Sequence, residues 1–241
     1  MKPFFTIITV SYNEEATIEG TIKSVLNQTF KDFEYIIIDG GSKDKTVDII
    51  KKYSNQISIW VSEKDQGIFD AMNKGIELSS GTWLNFMNSG DSFYDTSVLL
   101  NVSKQIISAS AVVYGNTNNV WDNNSIEKPR KINSLKYGLI MACHQSMFFN
   151  KPLLIDELNF KSSHKYYCDY ELVNRLYLKS YPIQYIDVTV ASYLGNGFSS
   201  SISSKARKVK FKYVFKSYGI SGVLRVILIK LKLINKPNRI K

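Results

Sequence analysis

Four short clusters near the start of the chain carry the residue types that do chemistry. They are Tyr12-Asn13-Glu14-Glu15, Asp39-Gly40-Gly41-Ser42, Glu63-Lys64-Asp65 and Asn88-Ser89-Gly90-Asp91. Any one of them is ordinary turn chemistry. Together they concentrate carboxylates, and carboxylates repel a phosphate unless a hard divalent cation bridges the two. Mg²⁺ typically takes one or two protein carboxylates together with substrate phosphate oxygens. A carboxylate also accepts hydrogen bonds from a base N–H or a ribose hydroxyl. Asp91, closing the last cluster, is the best-placed ligand for a cation, and Asp39 suits the base or ribose. The two glycine-loop routes to phosphate are missing. No G-x-G-x-x-G follows the first apolar run, and no G-x-x-x-x-G-K-[ST] occurs.

The elements that must position these clusters alternate in type. FFTIITVSY, FEYIIID, ISIWVSE and TWLNFMN read as buried strands. Between them, NEEATIEGTIKSVLNQT, SKDKTVDIIKKYS and GIFDAMNKGIELSS read as helices, with Ser42 as a cap for the second or for its N-terminal turn and Gly81 as the C′ residue of the third. Repeated strand–helix units predict an α/β fold whose sheet is mostly parallel and flanked by helices, with ligands bound beyond the carboxyl ends of the strands. That places all four clusters on one rim. Asp70, Asn73 and Lys74 fall on the third helix, with Asp70 and Asn73 on one face. The second half is less regular. AVVYGNTNNVW reads as a strand entering a loop, KINSLKYGLIMACHQSMFFN as a helix, a polar pair and a short strand, DYELVNRLYLKS as an amphipathic helix, and IQYIDVTVASYL as a strand. GNGFSSSISS reads as a flexible loop.

With 241 residues, 44% of them hydrophobic, the chain has material for one sizeable core plus an appendage. Its two cysteines, Cys143 and Cys168, exclude a disulfide scaffold and fit a reducing compartment. A zinc site from Cys143, His144 and Cys168 matches no standard finger spacing. The N-terminus does not read as a signal peptide, and no apolar run is long enough to span a membrane. The net charge of +10 lies in the C-terminal part, which from Val188 onward has no Asp or Glu. An apolar, cationic tail with Arg225, Lys232 and Lys236 on one face fits a helix lying in a membrane interface, or one packed on the domain or a second subunit. The near-neutral body offers no basic face for nucleic acid.

Six motifs, TVSYNEEATIEGTIKSVLNQTF, IIIDGGSKDKT, SEKDQGIFDAMNKGI, GTWLNFMNSGD, ACHQSMFF and YCDYELVNRL, occur in family order over residues 4 to about 180. On these the chain resembles the family 2 glycosyltransferases, of GT-A fold, and most of all members that build bacterial surface polysaccharides of the colanic-acid type. The resemblance implies one catalytic domain over residues 1–200, with a nucleotide-binding half to about 95 and an acceptor half after it, and a basic tail over 201–241. It implies inverting transfer of a single sugar from a nucleotide-sugar, UDP-linked by expectation, to a saccharide or lipid-linked acceptor, with Mn²⁺ or Mg²⁺. By position, Val10, Tyr12, Glu14, Asp39 and Ser42 fall in the nucleotide pocket, and Asp65, Asp70, Asn73, Lys74, Asn88 and Ser89 beside the donor. Asp91 matches the last aspartate of the metal-binding motif. His144 and Gln145 face the diphosphate or acceptor, and Asp169 falls at the catalytic base, with Glu171 as its rival. Gly90 departs from the family, which often has an aspartate there, and a weakly metal-binding or inactive nucleotide-sugar binder is the alternative. The Q-x-x-R-W signature of processive members is absent. The expected location is the cytoplasmic face of the cell membrane, peripherally attached.

Overall fold

The computed structural model describes residues 2–161, 166–195 and 204–240, apart from the side chains of Ser204 and Lys205. Most of the loop expected at 195–204 lies outside the described residues. Strands β1 (Phe5–Ser11) and β2 (Phe33–Asp39) are apolar on both faces, so both faces need cover. Phe5, Ile7, Tyr35 and Ile37 enter one core cluster, and Ile8, Val10, Ile36 and Ile38 the other. Helices α1 (Ile18–Leu26), α2 (Thr46–Lys52) and α4 (Val98–Gln105) cover the first face with Ile22, Ile50 and Val102. Helices α3 (Ile68–Leu78) and α5 (Cys168–Leu178) cover the second with Met72 and Leu172.

The sheet runs β3 (Ile59–Ser62), β2, β1, β4 (Trp83–Phe86), β8 (Met147–Asn150), β6 (Val112–Asn119), β9 (Ile183–Tyr193), β5 (Ser92–Phe93), with β7 (Ser125–Glu127) on the side of β6. The first four strands are mutually parallel, and their registers align the carboxyl ends, with Ser11 opposite Asp39 and Asp39 opposite Ser62. The chain leaves β1 toward β2 and β3 on one side and returns to β4 on the other. That reversal opens a crevice beyond the ends of β1 and β4, where such sheets bind ligands. The predicted rim is therefore present. The second half adds antiparallel strands, since β8 runs against both β4 and β6.

Several local expectations need correction. Gly81 is not the C′ residue of α3, because that helix stops at Leu78 and Ser79 is extended. Gly81 is there because β1 passes close, and a Cβ on it would lie 2.8 Å from the Phe5 carbonyl carbon. Ser42 does not cap α2. Asp44 Oδ1 accepts the Thr46 N–H instead, at 3.0 Å. In place of the helix expected after Lys131 there are two 3₁₀ turns, Ile132–Tyr137 and His144–Ser146.

Helix α6 (Ser204–Lys230) is broken at Gly219, whose φ of 61° and ψ of −156° no helix contains. Val214 and Val226, one on each side of the break, are buried in the second core cluster. The helix closes with a paired turn, in which Lys232 (φ 58°) donates to Ile229 O at 3.0 Å and Leu233 to Leu228 O at 2.9 Å. Lys232 and Lys236 thus lie beyond the helix and share no helical face with Arg225, contrary to the periodic reading. The chain then folds back on the domain. Ile240 N–H donates to Pro129 O at 2.9 Å, and Lys131 N–H to Asn238 O at 3.2 Å. Among the described residues no helix is long and apolar enough to cross a membrane.

Candidate functional site

Asp91 sits five residues beyond β4 in a loop pinned to α1. Thr21 Oγ1 donates to Asp91 O at 2.7 Å and accepts from Gly90 N at 3.1 Å. Gly90 has φ +94°, a backbone that disfavours any side chain. The Asp91 carboxylate is buried yet fully engaged, with Oδ1 accepting the Leu194 N–H at 3.0 Å and Oδ2 accepting the Gln145 amide N–H. Burial pushes its pKa up, Leu194 and Gln145 pull it down, and Glu14 adds repulsion. Glu14 is therefore close enough to be felt, although it lies on the opposite lip of the crevice.

Around Asp91 the chain leaves polar atoms without partners. Gln145 Oε1, Asn88 Oδ1, Ser89 Oγ and Ser11 Oγ are buried and unbonded among the described residues. Each such atom costs about 1–3 kcal/mol when left unpaired, so a run of them beyond β1 and β4 marks a place built for a ligand. One carboxylate beside several uncommitted oxygens suits a hard cation that completes its shell with phosphate oxygens. No group of three His, Cys, Asp or Glu among the described residues forms a protein-only metal cluster.

Asn88 also links this loop to the far side of the crevice, where His144 and Asp169 lie. The Asn88 amide Nδ2 lies 2.8 Å from His144 Nε2, and where the amide is the donor the imidazole proton sits on Nδ1. Nδ1 is 3.9 Å from Asp169 Oδ2. Asp169 opens α5 and is 29% exposed in its side chain. Its rival Glu171 is 11% exposed and tied by Oε1 to Lys161 at 3.3 Å and Arg175 at 3.2 Å. Asp169 thus reaches the crevice, and Glu171 holds α5 to its neighbours.

On the other lip, Asp39 is 0% exposed. Its Oδ2 accepts from Gly41 N, Ser42 N and Ser62 Oγ at 3.1, 3.0 and 2.6 Å, and Oδ1 accepts from Ser42 Oγ at 2.5 Å. In this state it orders the glycine turn. The turn is laced to the loop after β1, with Asn13 N donating to Ser42 Oγ and Glu14 N to Thr46 Oγ1, both at 2.8 Å. Tyr12, 60% exposed, stands at the edge of this lip, whereas Val10 is core. Asp65 packs against Gly40, where a Cβ would come 3.1 Å from the Asp65 carboxyl carbon.

Residues on α3 are placed differently from one another. Asp70 Oδ2 accepts the Gln66 N–H at 3.0 Å, and Lys74 bridges to Glu63 at 2.8 Å. Asn73 spends both ends of its amide on the backbone of Phe160, each at 2.8 Å, and so anchors the fold. The structure therefore gathers Asn88, Ser89, Asp91, His144, Gln145 and Asp169 into one crevice, with Tyr12, Glu14, Asp39 and Ser42 on its far lip. Thr21, Ser62 and Leu194 complete it without having been singled out. Ser62 has a readable signal, since it ends β3 as Asp39 ends β2. Leu194 acts through its backbone, which side-chain identity does not reveal.

Comparison with known proteins agrees with this geometry. The pattern of glycosyl transferase family 2 matches residues 6–167. A PGL/p-HBAD biosynthesis glycosyltransferase of Mycobacterium bovis is 31% identical over 215 residues, covering 84% of this chain and 82% of the relative. A putative teichuronic acid biosynthesis glycosyltransferase, TuaG of Bacillus subtilis, is 38% identical over 93 residues, 37% of each chain. Among solved structures, S. aureus TarS 1-349 in complex with UDP superposes with a TM-score of 0.72 at 18% identity, over 92% of this chain and 69% of that one. A Pyrobaculum calidifontis mannosyltransferase in complex with GDP-Man and Mn²⁺ gives 0.66 at 12% identity, over 98% and 76%. These two share the GT-A fold with the chain.

Proposed function

The chain belongs to glycosyl transferase family 2, and from that premise we propose that it moves one sugar, with inversion, from a nucleotide-sugar to a hydroxyl of a saccharide or lipid-linked acceptor in surface-glycan synthesis. The observation that carries the reading is Asp91, a buried carboxylate in the loop after β4 whose neighbours Gln145, Asn88 and Ser89 each keep a buried polar atom unpaired among the described residues. A UDP-linked donor fits the family and the UDP bound by the TarS neighbour. Its base rests against exposed Tyr12, and a base N–H takes over Asp39 Oδ1 once the Ser42 hydroxyl releases it. The diphosphate extends toward Asn88, Ser89 and Asp91.

Asp169 removes the proton from the acceptor hydroxyl as that oxygen attacks the anomeric carbon, and the bond to the diphosphate breaks in line. His144 orients Asp169 and Asn88 from between them. Asp91, with Gln145 Oε1 and Asn88 Oδ1 nearby, would hold Mn²⁺ or Mg²⁺, which neutralises charge on the departing diphosphate. The alternative, a donor-binding protein without transfer, drew its support from Gly90. The positive φ there gives glycine a backbone reason of its own, so its presence does not by itself argue for that alternative. Peripheral attachment to the inner face of the membrane, through the exposed side of α6, completes the reading.

The test is a screen of UDP-, GDP- and dTDP-sugars by thermal shift and by donor hydrolysis, with and without Mn²⁺. A Mn²⁺-dependent shift with one nucleotide class is expected. No shift and no hydrolysis with any donor would sink the enzymatic reading.

A further inference from the structure

A cavity of about 190 Å³ lies behind the catalytic crevice, between the end of β6, the turn into β7, the 141–143 loop and the C-terminal segment. Its polar lining includes Asn119, Glu127 and Arg239, and its aromatic lining Trp121 and Tyr193. It is coupled to the crevice at two points. Cys143, in its wall, precedes His144, and Tyr193 precedes Leu194, whose N–H holds Asp91. Asp91 is near enough to Cys143 to raise the thiol pKa, which burial already drives up.

We propose that this cavity binds a pyranose ring of the acceptor glycan, and that the chain's C-terminal residues are one of its walls. The proposal rests on the transferase reading above. Trp121 is 62% exposed, although an indole of that size is normally covered. Its ring lies against Gly195, where φ is +91° and a Cβ would fall 2.8 Å from Trp121 Cβ, so the bare glycine leaves room for the indole. An indole face offers the apolar C–H side of a sugar a flat partner. The rest of the lining offers the hydroxyl groups a carboxylate, a guanidinium and an amide. A few convergent polar groups around an aromatic surface are the usual make-up of a small-molecule site.

The polar groups are held in place rather than free to wander. Asn119 Nδ2 donates to Glu127 Oε2 at 3.1 Å, and Arg239 pairs with Glu127 and donates to Lys128 O at 2.7 Å. Arg239 reaches the cavity only because residues 238–240 lie antiparallel to 129–131. The tail therefore finishes the site.

The test uses the full chain and octyl glycosides of glucose, galactose, rhamnose and N-acetylglucosamine, read by saturation-transfer NMR and tryptophan fluorescence. At least one glycoside is expected to bind saturably. Trp121→Ala should weaken it about tenfold or more, Trp121→Phe should largely keep it, and Arg239→Gln should weaken it or change which glycoside is preferred. The thermal shift with nucleotide-sugar should be the same in all three variants, which also checks folding. Absence of saturable glycoside binding, or undiminished binding by Trp121→Ala, overturns the proposal. Glycoside binding that depends on Trp121 in a chain that binds no nucleotide-sugar would overturn the transferase reading while leaving the carbohydrate site standing.

Discussion

At the scale of single residues, the two aspartates of the crevice have opposite environments and should fail differently when changed. Asp169 is partly exposed at the start of α5 and, among the described residues, makes no ion pair beyond its 3.9 Å approach to His144. Asp169→Asn should leave nucleotide-sugar binding intact and cut transfer by about 10²–10⁴-fold, the usual worth of a positioned base. A variant that transfers at the wild-type rate refutes the assignment. Asp91 is buried with its pKa raised, so the folded state holds the proton more tightly than the unfolded chain does. Its charge therefore costs stability above that raised pKa, and the cost vanishes as pH falls through it. Asp91→Asn should abolish the Mn²⁺-dependent donor shift. It should also leave the ligand-free Tm at about pH 7 level with or above the wild type, with the gap closing toward about pH 4. A clear loss of Tm at neutral pH would mean that the bonds from Leu194 and Gln145 outweigh the burial cost.

At the scale of elements, the four parallel strands and three helices of the first half were readable because each strand is a short apolar run rich in β-branched or aromatic residues and the helices between them carry apolar residues at helical spacing. The rim followed from that alternation alone. Helix α4 was not, since its eight residues carry only Val98, Leu99 and Val102 to the core, too short a run to announce a period. The failures at Ser42 and Gly81 share a cause. Both residues have a partner far along the chain, Ser42 in Asn13, besides its local bonds to Asp39, and Gly81 in β1, and local turn chemistry cannot register the distant ones. The break in α6 belongs here too. Gly219 occupies a backbone region open essentially to glycine alone, and nothing lies within 4 Å of where a Cβ would be. Any penalty for Gly219→Ala is therefore backbone strain, about 1–3 kcal/mol. If the helix relieves that strain by straightening, the segment beyond it loses its approach to residues 129–131. The expected result is a lower Tm by scanning calorimetry, with weaker glycoside binding and unchanged nucleotide-sugar binding. An unchanged Tm would show that the break is not fixed by that residue.

At the scale of the whole molecule, the charge asymmetry was plain in the sequence, but its use depends on which side of α6 the domain covers. Val214 and Val226 face inward. Before the break the exposed positions include Lys208, Lys212 and Lys216, at a spacing of four, together with Arg207 and Phe215, and after it Ile220, Leu224 and Ile227, with Leu231 just past the helix end. The helix thus shows solvent mainly cationic side chains, with Phe215 among them, before the break and mainly apolar ones after it, with Ile220 at 71% exposure and Leu231, one residue past its end, at 60%. The periodic reading, which placed Arg225 with Lys232 and Lys236, missed this order because it did not know where the helix bends and stops. Lysines facing anionic headgroups beside aliphatic side chains entering the acyl boundary is the arrangement of an interfacial helix. Each lysine near such a surface contributes about 1 kcal/mol, so replacing Lys208, Lys212 and Lys216 by Gln should weaken binding to phosphatidylserine-containing vesicles about a hundredfold. The residual binding should lose most of its salt dependence. Ile220→Asp with Leu224→Asp should abolish it, while nucleotide-sugar binding in both variants stays as in the wild type. If the apolar row instead covers a second copy of the chain, the wild type will sediment as a dimer without lipid and the Asp pair as a monomer, with vesicle binding absent throughout. That outcome would remove membrane attachment from the proposed function and leave the acceptor to reach Asp169 from solution.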